Sequence, residues 1–137
     1  MSKREILFRG KRVDNGEWID GWFLPGNERQ SLHPCIFVYL PETQSFECFD
    51  IDIDTLGEYT GLTDRDGTRI FEGDIIGVVY NPNYGGVAKK RIGTFKVGFE
   101  DGCYVYEDGE GYFLFTESDE IVVIGNIYDN PELLKGE

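Results

Sequence analysis

The residues with the best spacing for chemistry are carboxylates. Asp50, Asp52 and Asp54 alternate with Phe49, Ile51 and Ile53. On a strand this period of two sets the acids on one face and the apolar residues on the other. At a rise of ~3.3–3.4 Å per residue, alternate carboxylates stand roughly 7 Å apart. That is too wide for neighbours to share a cation without ligands from a second strand. A calcium loop needs acidic or amide side chains at its first, third and fifth positions, Gly at the sixth and Glu at the twelfth. Counting from Asp50 places Thr55 sixth and Gly61 twelfth, and setting Gly67 sixth places Leu62 first and Gly73 twelfth. Neither register makes a calcium loop.

Other reactive groups are sparse. His33 is the only histidine and sits beside Pro34, with no arrangement that would make it a base or a ligand. Cys35, Cys48 and Cys103 are widely spaced and odd in number. They outline neither a disulfide framework nor a zinc template and are expected as buried or half-buried reduced thiols. The glycine-rich phosphate loops and the Gly-x-Ser-x-Gly elbow are missing from the sequence. Acidic residues are so frequent that no single pair of them marks a catalytic site. The expectation is a non-enzymatic protein with no catalytic residues, no metal ligands and no cofactor. Trp18 and Trp22, an even number of residues apart, share one strand face. They would form either a stacking platform for a base or a sugar or part of a small core, and the core is the expectation.

A formal net charge of −13 over 137 residues disfavours binding to nucleic acid or to anionic lipid. The charge is uneven. Lys3, Arg4, Arg9, Lys11 and Arg12 crowd the beginning, Lys89–Arg91 forms a second basic island, and Glu42–Glu58 and Glu100–Glu120 contain no Lys or Arg. Such acidic runs serve solubility, or they mimic a polyanion for a basic groove on another protein. Three like carboxylates on one ribbon repel each other, so a basic partner is expected close by. Arg9, Lys11 or Arg12 of the same or a neighbouring subunit would supply it. Asp50, Asp52, Asp54, Arg9 and Lys11 thus form a candidate binding or subunit-contact surface.

The elements that would position these residues are short and β-like. Glu5–Val13 reads as a first strand with Ile6, Phe8 and Val13 inward, and Asp14-Asn15-Gly16 as a type I′ hairpin turn. The return strand is Glu17–Leu24, followed by a loop over Pro25–Ser31. Cys35–Leu40, ended by Pro41, and Ser45–Ile53 are the next strands, with a turn or single helical turn at Leu56-Gly57. The stretch Tyr59–Ile76 organises the rest. Its Asp64-Arg65-Asp66-Gly67 turn joins two extendable segments, and Gly73-Asp74 launches the apolar strand Ile75–Tyr80. Asn81, Asn83, Tyr84, Gly85 and Gly86 mark a candidate flexible loop. Short strands are expected over Ile92–Phe99, Cys103–Tyr106, Gly111–Phe115 and Ile121–Ile124. Asn130 would cap a last short helix that starts at Pro131. The longest apolar runs fall far short of the ~18 residues a membrane helix needs. Met1–Glu5 is charged and leads into no apolar segment, so a cytoplasmic location without a signal peptide is expected.

Three segments carry a family resemblance. Tyr59–Gly67 followed by Ile70–Ile76, Ile6–Arg12 with Asp14–Trp18, and Val123–Leu134 resemble the central, opening and closing motifs of the YopX family of phage and prophage proteins. The family has no assigned activity, so no site residues transfer from it. The fold expected is mainly β: a small antiparallel sheet over residues 1–58, then an SH3-like barrel over 59–137, with one or two helical turns. The resemblance implies an accessory phage protein in the cytoplasm of a bacterial host, acting by protein binding or self-assembly as a homo-oligomer. The alternative is an acidic nucleic-acid mimic that blocks a basic groove on a host protein.

Overall fold

The structure is a computed structural model and describes residues 6–30, 32–80, 93–108, 112–115 and 120–134. The fold is mainly β, and all its recorded strand pairings are antiparallel. The chain divides into two units, Met1–Tyr59 and Thr60–Glu137.

The first unit is built from β1 (Phe8–Arg12), β2 (Trp18–Leu24), β3 (Cys35–Leu40) and β4 (Ser45–Thr63), the last continuing past the boundary. β1 pairs with β2, β2 with β3, β3 with β4, and β4 returns to pair with β1, so the pairings form a ring. A short 3-10 turn, Glu28–Gln30, lies in the loop before β3. The β1–β2 connection is wider than a type I′ turn. Arg12 N–H donates to the Glu17 carbonyl at 2.9 Å, and only Gly16 (φ 74) takes a positive φ. A type I′ turn needs positive φ at both central residues. Asn15 instead spends its side chain accepting from Glu17 N–H at 2.9 Å.

The interior of this ring is narrow. A Cβ on Gly10 would stand 2.7 Å from Cδ1 of Ile51, and one on Gly21 would stand 2.5 Å from the Phe37 carbonyl oxygen. Glycine at both places lets Ile36 and Ile51 bury almost completely. Ile6 and Val13 are exposed rather than inward, because both lie outside the paired residues of β1. Phe8 is half-buried, and its ring packs 5.6 Å from that of Phe23.

β4 also departs from expectation. Leu56-Gly57 is part of a continuous strand, not a turn. The irregularity sits just before it: Arg9 faces Gly57 while Lys11 faces Asp52, so two steps along β1 span five along β4. Thr55 holds this bulge, its hydroxyl donating to the Asp52 carbonyl at 2.6 Å and accepting from Lys11 N–H at 2.9 Å. The bulge breaks the alternation read from the sequence and turns Ile53 outward.

In the second unit a turn over 64–68 joins the end of β4 to β5 (Arg69–Phe71). β6 (Asp74–Tyr80), β7 (Gly93–Glu100), β8 (Cys103–Glu107), β9 (Tyr112–Leu114) and β10 (Glu120–Asn126) form a sheet in the order β10-β6-β7-β8-β9. The expected strands of this half all form. Ile70, Ile76, Val78, Phe95, Val97, Tyr106 and Ile121 make its core, with Phe113, Phe115 and Val123 packed against it. Tyr106 meets Phe95 and Phe115 edge-on, at centroid distances of 5.1 and 5.0 Å. Each such side chain, fully buried, contributes about 1.5–3 kcal/mol. The last element is a 3-10 turn, Pro131–Leu134. Asn130 precedes it, but its carboxamide oxygen accepts from Asn126 N–H at 3.2 Å, pointing back toward β10.

Candidate functional site

Residues opposite each other on antiparallel strands share a sheet face. The outward face of the first unit therefore follows from its register. Lys11 stands opposite Asp52 on β4 and opposite Trp18 on β2, and Arg9 stands opposite Asp20. The Trp18 ring receives the Arg9 guanidinium at 4.7 Å and the Lys11 ammonium at 5.6 Å. Three of the five residues singled out in the sequence, Arg9, Lys11 and Asp52, thus come together. Asp50 faces Cys35 instead, and Asp54 lies in the bulge, its N–H donating to the Asp52 carboxylate at 3.1 Å. Asp20, which the sequence reading passed over, joins the cluster. Its signal was its place between Trp18 and Trp22 on one strand face.

Beside this cluster lies an open hollow of about 570 Å³, whose lining includes Lys11, Val13, His33, Ile51 and Asp52. Arg12 also borders it, but its guanidinium is committed elsewhere. It donates to both carboxylate oxygens of Asp14, at 2.9 and 2.6 Å, and lies 4.1 Å from the centre of the Phe49 ring. That bidentate contact raises the Arg12 pKa and lowers that of Asp14. His33 is exposed at the rim.

The more extensive feature is aromatic. Trp22, expected in the core, is 53% exposed, because the inward position next to it is Gly21, where not even a methyl group fits. Trp22 stands opposite Phe37, and Phe37 opposite Cys48, while Tyr39 stands opposite Phe46. The rings form a strip across β2, β3 and β4. Trp22 lies 6.1 Å from Phe37, Phe37 stacks parallel on Phe46 at 5.1 Å, and Tyr39 meets Phe46 edge-on at 5.1 Å. Phe46 and Tyr39 are 54% and 45% exposed. Of the three thiols only Cys35 is buried; Cys48 and Cys103 are exposed, contrary to expectation. Burial, then the neighbouring Cys48 thiol and the Asp50 carboxylate, push Cys35 up to about 11. It is therefore a poor nucleophile.

The central signature has a mechanical role. The buried Asp64 carboxylate accepts from Asp66 N–H, Thr68 N–H and Val123 N–H, each at 2.9 Å. Burial would raise its pKa, but these donors together with Arg65 hold it below the ordinary value. Arg65 N–H donates to the Ile121 carbonyl at 3.0 Å, so the turn is tied to β10. Asp74, 1% exposed, accepts from Phe71 N–H at 2.7 Å and closes the turn before β6. Gly73 (φ 92) donates to Val97 and accepts from Ile127, which carries the closing motif. These carboxylates are occupied with backbone N–H groups. Among the described residues no three His, Cys, Asp or Glu side chains are grouped to hold a metal ion. No helix among them is long and apolar enough to cross a membrane. The loop residues Asn81, Asn83, Tyr84, Gly85 and Gly86 lie outside the described residues.

Three comparisons place the chain. The family model described as YopX protein matches residues 7–135. A solved structure, the crystal structure of protein EF1440 from Enterococcus faecalis, is similar at a TM-score of 0.60 and 25% identity. That match covers 96% of this chain and 99% of the other. No curated protein matches. With a family match over nearly its whole length, and with the signature residues forming the turns that join its strands, the chain belongs to the YopX family.

Proposed function

We propose that this protein is a non-catalytic accessory protein of a phage or prophage. It works without a cofactor in the cytoplasm of the bacterial host, by binding another protein through the outward face of its first unit. The carrying observation is the solvent-facing strip of Trp22, Phe37, Tyr39 and Phe46 across three adjacent strands. Contiguous apolar patches of more than a few hundred Å² are uncommon on monomeric soluble proteins and mark interaction sites. Trp and Tyr are also the residue types that anchor interfaces. In this reading the second unit is a scaffold, an SH3-like barrel of five short antiparallel strands and their turns. Assembly into a homo-oligomer through the same strip is the competing use of this face.

The test is retention from host lysate by the tagged chain, with Trp22→Ala and Phe46→Ala as variants. The reading expects a host or phage protein to be retained by the wild type and lost by both variants. Retention unchanged by either substitution would sink it, and a concentration-dependent dimer in sedimentation, abolished by the same substitutions, would replace it with self-assembly.

A second reading is favoured by the net charge of −13. The protein would then act as a polyanion mimic in a basic groove. Exposed charge is screened within ~10 Å at 0.1 M salt. A mimic's complex should dissociate steeply toward 0.5 M salt (about 4 Å of screening length), whereas a complex held by rings should persist.

A further inference from the structure

We infer that the aromatic strip of the first unit receives an arginine-bearing basic segment of the partner protein, whose guanidinium groups stack on the rings of Trp22, Tyr39 and Phe46. This rests on the protein-binding reading above and specifies the chemistry of the partner. The first argument is charge. β2, β3 and β4, which build the strip, contain no Lys or Arg. They carry Asp20 on the same face as Trp22 and Asp50 on the same face as Phe46, both exposed. Between Val13 and Tyr59 there are ten acidic residues and one basic residue, Arg29. An apolar strip with such surroundings fits a partner that is cationic at its edges and flat where it touches the rings.

The second argument is the choice of cation. Guanidinium is planar and weakly hydrated, so it loses less than ammonium when it leaves water to lie on a ring. The first unit already makes this contact within itself. Arg12 lies over Phe49 at 4.1 Å and Arg9 lies over Trp18 at 4.7 Å. Arg9 and Lys11 are opposite Asp20 and Asp52, on the strand that borders β2 and β4 away from β3. The strands of the strip themselves carry rings and carboxylates but no Lys or Arg. Other occupants fit less well. Single-stranded nucleic acid needs rings within a basic groove, and here the flanks are acidic. A second copy would bring the same Lys- and Arg-free strip against its own like charges.

Calorimetric titration of the full chain with synthetic peptides tests this. One peptide alternates Arg with Leu, one replaces every Arg by Lys, and one replaces every Arg by Gln. The arginine peptide should bind at least about threefold more tightly than the lysine peptide, the margin expected for exposed cation–π contacts. The glutamine peptide should not bind. Phe46→Ala combined with Trp22→Ala should weaken the arginine peptide about tenfold or more. Phe46→Leu, which keeps apolar bulk and folding but removes the ring, should weaken it severalfold. Asp20→Asn with Asp50→Asn should flatten the salt dependence. Equal binding of the arginine and lysine peptides, or indifference to Phe46→Leu, would overturn the inference. So would tighter binding of a neutral oligosaccharide or an oligothymidylate. If the peptides fail while the lysate partner is still lost by Trp22→Ala, the partner's chemistry is wrong and the protein-binding reading stands. If the lysate partner is indifferent to Trp22→Ala as well, both fall.

Discussion

In the first unit Trp22, Tyr39 and Phe46 face water, while glycines at positions 10 and 21 fill the narrow inside. In the second unit the arrangement is reversed, with Phe95 and Tyr106 at the centre of the core and carboxylates at 64 and 74 buried beneath turns. A ring of four paired strands has little interior, so its large side chains have only one place to go. The five-stranded sheet of the second unit packs its rings together and encloses them. The motifs that reveal kinship lie largely where the second unit needs its turns held. The surface that could meet another molecule lies on the first, in residues that follow only simple alternation.

The comparison is sharpest at the second unit's core. Tyr106 is fully buried and touches Phe95, Phe113 and Phe115. Tyr106→Ala is expected to cost about 3–5 kcal/mol in chemical denaturation, enough to unfold a marginal domain. A loss under 1 kcal/mol would mean that the two units differ less in packing than their ring contacts indicate.

Next comes the carboxylate at position 64. Asp64→Ala leaves the N–H groups of Asp66, Thr68 and Val123 without an acceptor, and is expected to cost roughly 2–4 kcal/mol. The pH dependence has a definite sign. A carboxyl held below its ordinary value of 3.8 contributes stability above that pH and loses it as pH falls through the lower, folded-state value. The melting-temperature gap between the wild type and Asp64→Asn should therefore be constant near neutrality and close below about pH 3.8. A gap that persists at pH 2 would assign the effect to shape rather than charge.

The first unit's interior should show a smaller effect of opposite origin, from overfilling rather than loss. Gly21→Ala places a methyl group against the Phe37 carbonyl oxygen, a backbone atom, and is expected to cost about 1–3 kcal/mol. Gly10→Ala meets side-chain atoms of Ile51 rather than backbone, its closest approach being to the terminal Cδ1, and should cost less. If the two variants melt alike, the inside of this unit is looser than its contacts imply.

The smallest change is expected at the strip. Phe46→Ala removes one stacked and one edge-on ring contact from a half-exposed residue, which is worth about 1 kcal/mol. A thermal shift as large as that of Gly21→Ala would show that the strip stabilises the fold and would weaken its assignment as a binding face.

Much of the fold was legible in the residues. Gly67 and Gly73 do take positive φ in the turns that their Asp-Gly and Gly-Asp neighbours mark, and the strands after Gly73 begin and end near their predicted limits. Such local signals act over a few residues, so they survive without knowledge of the rest of the chain. The candidate site was legible only in pieces. Alternation along β4 placed Asp50 and Asp52 outward, but it could not foresee the bulge that exposes Ile53 or the continuation of the strand through Leu56-Gly57.

What the sequence determined by itself was the β class, the turn chemistry, the acidic charge and membership of a family, because each is a property of near neighbours or of totals. The tertiary structure decided which face of β2 is inside, and hence that Trp22 meets solvent. It also decided that Arg9 stands opposite Asp20, and that Asp64 reaches fifty-nine residues along the chain to Val123. Those outcomes depend on the space between strands distant in sequence. At Gly21 a methyl group would run into the Phe37 carbonyl of the neighbouring strand, so the inward place stays empty and the indole of Trp22 faces outward.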